Sequence, residues 1–187
     1  MGKRLSKIYT KTGDDGLTGL GNGNRVPKHD PRVDVMGHVD ELNSQLGMLI
    51  ELLDPASFAA ERDFLRRCQH FIFDLGGELS IPGFELISDK QVIAIEQHLD
   101  SLNENLAPLD NFILPGGSPA IAQAHIARSV CRRAERGLTA LATETEINPA
   151  GLQLLNRFSD LMFVLARHIA RVQNVPEVLW EQDKSGR

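Results

Sequence analysis

The stretch Asp30–Leu53, DPRVDVMGHVDELNSQLGMLIELL, decides the fold class. It opens on Asp30-Pro31, an N-cap acceptor followed by the residue whose missing N–H costs nothing in a first helical turn. Val35, Val39, Leu42, Leu46, Leu49 and Leu53 then recur at steps of three and four. That rhythm matches a turn of 3.6 residues and no strand period, so it predicts an amphipathic helix over residues 31–53.

The same rhythm continues on the C-terminal side. Phe64, Cys68, Phe71, Leu75 and Leu79 predict a second helix over 56–80, weakened at its last turn by Gly76 and Gly77 and ended by Pro82-Gly83. Ser88 or Asp89 starts a third, with Val92, Ile95, Leu99, Leu102 and Leu106 as its stripe. The fourth begins at Ser118-Pro119 and keeps Ile121, Ala124, Ala127, Cys131, Ala134, Leu138 and Leu141 on one side. Asn148-Pro149 starts the fifth, whose seam is Leu152, Leu155, Phe158, Met162, Leu165, Ile169 and Val172. No alternating run is long enough to predict a strand. The expected fold is all-α, a five-helix bundle with short connections in an up-down, ferritin-like arrangement.

On the N-terminal side the pattern stops. Residues 11–30 carry glycine at 13, 16, 19, 21 and 23, Pro27 and six charged residues, and read as loop. The chain of 187 residues is therefore expected to be one domain: a glycine-rich arm over 1–30, the bundle over 31–175 and a tail over 176–187.

Composition narrows the function. With 42% apolar and 24% charged residues the chain is neither a disordered nor a disulfide-framed protein. A net charge of −5 argues against a general nucleic-acid binder, which needs excess Lys and Arg to displace counterions. No apolar run approaches the ~18 residues of a membrane span. MGKRLSKIYTKTGDDG lacks the apolar stretch of a secretory signal, and Cys68 and Cys131 form no CxxC, so a reducing cytoplasm is the expected location.

Three features carry chemistry. Arg128, Arg132 and Arg136 stand at steps of four on the fourth helix, with Arg133 and Glu135 beside them. Like charges so spaced cost about 0.2–0.5 kcal/mol per pair in an isolated helix. Either the face is solvated and salt-bridged, or the guanidinium forks hold an anion such as a phosphate. The second feature is Thr10-Lys11-Thr12-Gly13-Asp14-Asp15-Gly16-Leu17-Thr18, whose hydroxyls, lysine and glycines suit a phosphate cradle or a flexible arm equally well. It is no P-loop, since GxxxxGK[ST] is absent. Lys28 adds a further phosphate-directed charge if the arm folds back. Third, Asp40, Glu41 and Asn43 interrupt the first helix, and Asn156, Arg157 and Asp160 the fifth. Asn156 borders the Leu152/Leu155 seam and should point into a groove with a polar partner. Neither Glu-x-x-His nor HExxH occurs, so the metal to expect is magnesium carried in with a nucleotide. Phe112-Ile113-Leu114-Pro115-Gly116-Gly117 is an apolar loop, fit for core packing or for walling a cofactor pocket.

These residues resemble one known family, the PduO-type ATP:cob(I)alamin adenosyltransferases. The resemblance runs through Tyr9–Gly16 with Thr18, Gly37–Asn43 with Gly47, Phe112–Gly117, Arg132–Arg136 and Leu155–Asp160, in the family's order. It implies a homotrimer with the active site between subunits. It also implies transfer of the 5′-deoxyadenosyl group of ATP to the cobalt of a reduced corrinoid, giving adenosylcobalamin and triphosphate. By resemblance Thr10, Lys11, Thr12 and Gly13 wrap the phosphates, with Thr18 and Lys28 nearby; without ATP the arm is expected to be disordered. The run Arg132, Arg133, Ala134, Glu135 and Arg136 binds ATP together with Asn156. Phe112 displaces the lower ligand of the cobalamin, and Asp40 and Arg128 form a salt bridge across the subunit interface. Asp15 stands where members often carry lysine, which removes one positive charge from the arm. A reductase that supplies electrons and an enzyme that consumes adenosylcobalamin are the implied partners. Two other readings stand beside this one: a non-catalytic carrier of adenosylcobalamin or nucleotide, and a helical module that docks an acidic partner.

Overall fold

Asp30, Ser118 and Asn148 each cap a helix that has proline in its first turn, their side chains accepting from the backbone N–H of Arg32, Ile121 and Ala150. These helices are α1 (Pro31–Leu52), α4 (Pro119–Leu141) and α5 (Pro149–Val172). Between them lie α2 (Ala59–Ser80) and α3 (Asp89–Asn103), the latter started by a capping box of Ser88 and Gln91. The computed structural model describes residues 9–182; residues 1–8 of the predicted arm and 183–187 of the predicted tail lie outside the described residues. No helix among them is long and apolar enough to cross a membrane.

Three expectations need correction. The stretch read as loop contains a hairpin, β1 (Leu17–Gly19) paired antiparallel with β2 (Arg25–Pro27), Thr18 opposite Val26. Strands of three residues hold too few alternations to stand out from a glycine-rich background. Second, α2 starts at Ala59 rather than 56, because the Asp54 carboxylate accepts from both the backbone N–H and the hydroxyl of Ser57. That turn buries Phe58 ahead of the helix. Third, the seams run out at their ends: Leu106 lies beyond α3, and Val172 at the end of α5 is exposed.

Side-chain contacts fix the up-down order. Arg32, at the start of α1, donates to Leu79 O at 3.2 Å near the end of α2 and to Thr145 Oγ1 at 3.0 Å between α4 and α5. At the opposite end Arg62 of α2 donates to the carbonyls of Ile50 and Leu53, where α1 stops. α1 packs on α2 and α4, and α5 packs on α4 and α3. Leu42, Leu46 and Leu49 of α1 are fully buried, as are Ala124, Ala127, Cys131 and Ala134 of α4. The alanine seam lets α4 sit close to its neighbours and fixes which of its faces looks outward.

Arg32, Arg62, Glu78 and Arg167, buried inside the bundle, each have polar partners, as burial of charge requires. Glu78 is the clearest case. Its carboxylate accepts from Leu86 N, Ile87 N and the Asn148 amide, tying the α2–α3 connection to the N-cap of α5. The arm is anchored at this same end, since Gly21 N donates to Ser80 O at 2.8 Å. A side chain at Gly21 would put its Cβ 2.5 Å from Ile81 Cγ1, so only glycine lets the hairpin lie against α2.

Candidate functional site

The arginine ladder faces a cavity of about 510 Å³ between α3, α4 and α5, lined by Arg128, Arg132, Arg157, Glu96, Asp160 and Phe163 among others. Among the described residues neither Arg128 nor Arg132 forms an ion pair, and Arg128 Nε is buried with no hydrogen-bond partner. Guanidiniums left without a carboxylate at the edge of a cavity suit an anion. Of the ladder and its neighbours, Arg133 alone is salt-bridged among the described residues, pointing to α1 and pairing with Glu41. Arg136 folds back to donate to the Arg132 carbonyl at 3.0 Å. Ala134 belongs to the buried seam and presents no side chain to the cavity. The run Arg132–Arg136 therefore divides into an outward part and a part that seats the helix.

Asn156 has the polar partner its position called for. Its amide donates to Glu135 Oε1 at 2.8 Å. Arg157 continues the chain, donating from its guanidinium to Asn156 Oδ1 and from Nε to Glu96 Oε1 at 2.8 Å. This relay crosses from α3 over α5 to α4 and leaves the amide oxygen and nitrogen of Asn156 no freedom to exchange places. Sequence reading missed Arg157 as a partner of Asn156 and missed Glu96 altogether. Adjacency to Asn156 was a signal for the first; nothing in α3 marks the second.

The arm builds a compact polar corner. Thr10 and Thr12 share a hydrogen bond between hydroxyls at 2.9 Å, and Arg25 donates to the Thr12 carbonyl. Lys11 adopts φ 61°, a left-handed conformation unusual outside glycine. Lys28 does fold back: a Cβ at Gly13 would meet its Cε and Nζ at 3.3 Å and the Leu17 carbonyl at 3.1 Å. Gly13 thus lets a lysine ammonium lie against the backbone just after the threonine-lysine-threonine stretch. Thr18 sits half-buried on β1. Within residues 9–30 two backbone bonds tie the arm down: Lys28 N donates to Gly16 O at 2.9 Å and Gly21 N to Ser80 O at 2.8 Å. No hydrogen bond among the described residues joins this corner to the arginine ladder of the same chain.

Phe112 lies at the other end of the bundle and is 79% exposed, so the loop is not core packing. Asp40 is exposed on α1 beside a second, largely apolar groove of about 550 Å³ that also holds Met36, Ile72 and Phe73. Within one chain Asp40 and Arg128 do not meet. Burial, followed by the nearby Arg128 charge, holds the imidazole of His125 below its ordinary value. Burial likewise pushes the Cys131 thiol far up, so it stays a protonated core residue. Among the described residues no group of three His, Cys, Asp or Glu could hold a metal ion.

Comparison with known proteins gives one answer. Residues 8–169 match the family described as cobalamin adenosyltransferase. The chain is 51% identical over 184 residues to a cobalamin adenosyltransferase of Cupriavidus metallidurans, covering 98% of this chain and 99% of that protein. It is 40% identical over 181 residues to the corrinoid adenosyltransferase of Bacillus subtilis, covering 94% and 93%. Among solved structures, a phenylalanine-to-alanine variant of the PduO-type ATP:corrinoid adenosyltransferase from Lactobacillus reuteri, complexed with cobalamin and ATP, superposes with a TM-score of 0.90. That match has 33% identity and covers 94% of this chain and 100% of the other.

Proposed function

The chain belongs to the cobalamin adenosyltransferase family, and on that premise we propose that it transfers the 5′-deoxyadenosyl group of ATP to the cobalt of cob(I)alamin. Cobalt(I) gives its electron pair to C5′, the Co–C5′ bond forms as the C5′–O5′ bond breaks, and triphosphate leaves with the bonding pair. Cobalt ends two electrons more oxidised, as cobalt(III) in adenosylcobalamin. The observation that carries this reading is Arg132, which forms no ion pair among the described residues and stands at the edge of a 510 Å³ cavity. Such donors stabilise negative charge as it builds on the leaving triphosphate.

Each residue then has a task. Thr10, Lys11, Thr12 and Gly13 wrap the phosphates, with Thr18 and Lys28 beside them; magnesium carried in with the nucleotide would offset further phosphate charge. Arg132 and Arg136 face the triphosphate, Glu135 orients Asn156 against the nucleotide, and Arg133 and Ala134 seat that helix. Phe112 offers an exposed apolar ring to displace the lower ligand of cobalamin, which leaves four-coordinate cobalt easier to reduce.

The working unit is a homotrimer in the cytoplasm, its sites shared between subunits. Three facts support this: among the described residues no hydrogen bond joins the arm to the ladder within a chain, Asp40 and Arg128 lack each other, and Phe73 is 72% exposed on the apolar groove beside Asp40. Sedimentation is expected to give a trimer that Asp40→Asn weakens. A reductase upstream and an adenosylcobalamin-dependent enzyme downstream complete the scheme.

The test of function is incubation with ATP, magnesium and chemically reduced cobalamin, followed by chromatography. Adenosylcobalamin and triphosphate in equal amounts are expected; absence of both at saturating substrates refutes the reading. Tight binding of adenosylcobalamin without triphosphate release would instead identify a carrier.

A further inference from the structure

We propose that Arg167 and Glu177 are positioning residues that clamp the C-terminal segment along the Phe112 loop and so fix the Phe112 ring. The inference rests on the role given to Phe112 above and extends it to side chains that do not reach the substrate.

A ring that is 79% exposed has little packing to hold it, so its direction depends on its backbone. That backbone is held by the tail. Trp180 N donates to Phe112 O at 2.7 Å, Leu114 N to Val178 O at 2.8 Å, and Asn111 Nδ2 to Trp180 O at 2.5 Å. A pairing this short, with its sides open to water, is marginal alone. Something must hold the tail in register.

Glu177 immediately precedes the paired residues. Its carboxylate accepts from Arg167 Nε at 2.9 Å and from Arg167 Nη2 at 3.4 Å. The same guanidinium donates from Nη2 to Ala107 O at 2.8 Å, where the α3–α4 connection departs. One side chain on α5 thus ties down both flanks of Phe112, the incoming loop and the tail that runs beside it. Arg167 is 8% exposed, so its charge needs Glu177, and the pair is far less dispensable than a surface one. A purely structural staple would explain the pair but not why both of its tethers end on the segments that frame Phe112.

The chain has one tryptophan, Trp180, so its emission reports tail docking with no ligand present. In Glu177→Gln, acrylamide quenching of Trp180 should rise about twofold while far-UV circular dichroism stays the same. Adenosylcobalamin formation started from Co(II) should fall about tenfold or more, against less than about threefold when started from Co(I), with the KM for ATP unchanged. Unchanged quenching, or equal losses from the two starting states, would overturn the proposal. If Glu177→Gln does not fold, Asn111→Ala takes its place. It leaves the buried pair intact, removes the Asn111 bond to Trp180 O and the acceptor of Phe112 N–H, and should give the same pattern at smaller amplitude; equal losses from Co(II) and Co(I) would then overturn the proposal. Wild-type protein that makes no adenosylcobalamin would refute the function proposed above, while the quenching comparison would still decide whether the clamp exists.

Discussion

Asn156 on α5 and Glu135 on α4 meet at 2.8 Å, amide to carboxylate, and Arg157 closes the far side of that amide. The contact sets which end of Asn156 is a donor and ties this half-buried residue of α5 to the helix that carries the arginine ladder.

Asn156→Asp should therefore fail for an electrostatic reason. It sets a second carboxylate against Glu135 and removes the donor that held the two helices in register. We expect kcat/KM for ATP to fall about tenfold or more. Adding Glu135→Gln to the same chain should recover part of the loss, because the glutamine amide can donate where the carboxylate could not. A double variant no better than Asn156→Asp would show that the contact does not matter to nucleotide use.

Arg132→Ala should lower turnover by about 10²- to 10³-fold, the usual cost of removing a donor aimed at developing charge. The residue is exposed and outside the helical seams, so far-UV circular dichroism and the melting temperature should barely change. Turnover within about threefold of wild type would remove Arg132 from the mechanism.

Gly21→Ala tests whether the docked arm matters. The new Cβ would lie 2.5 Å from Ile81 Cγ1 and 3.0 Å from Ser80 Oγ, so the hairpin must lift from α2. Since the arm carries the proposed phosphate contacts, KM for ATP should rise about fivefold or more while kcat at saturation is largely kept. Titration with ATP under steady-state conditions separates the two; an unchanged KM would mean the arm reaches the nucleotide without its anchor.

Stability should fall in mild acid. His98, His125 and His168 are each held below their ordinary value of 6.5, in every case by burial first, with Glu61 opposing the shift at His98 and His168. The folded chain keeps them neutral where the unfolded chain takes up protons, so stability is present above pH 6.5 and is lost as pH drops below it. Thermal melts from about pH 7.5 to about 5.5 should show a falling midpoint. A midpoint that rises over that window would contradict the burial of these imidazoles in neutral form.

Much of the architecture was legible before any coordinates. Asp30-Pro31, Ser118-Pro119 and Asn148-Pro149 are local signals, and each starts a helix where it stands. The leucine and alanine seams are nearly as local, because 3.6-residue periodicity is imposed by one helix meeting one neighbouring surface. The hairpin over Leu17–Pro27 was not legible, since its pairing depends on turn geometry and on the landing site at Ser80 rather than on alternation.

The site divides along the same line. Sequence by itself determined the number and order of the helices, the starts of α1, α4 and α5, the stacking of Arg128, Arg132 and Arg136 along α4, and a polar partner for Asn156. Each of those follows from spacing within a single helix or from the cost of burying an unpaired amide. Only tertiary structure decided that Arg133 is spent on Glu41 while Arg128 and Arg132 face a cavity, that Lys28 lies over Gly13, and that Arg167 and Glu177 hold the flanks of Phe112. Those pairings join residues distant along the chain, and their partners are chosen by how the helices rotate against one another, which no local pattern records.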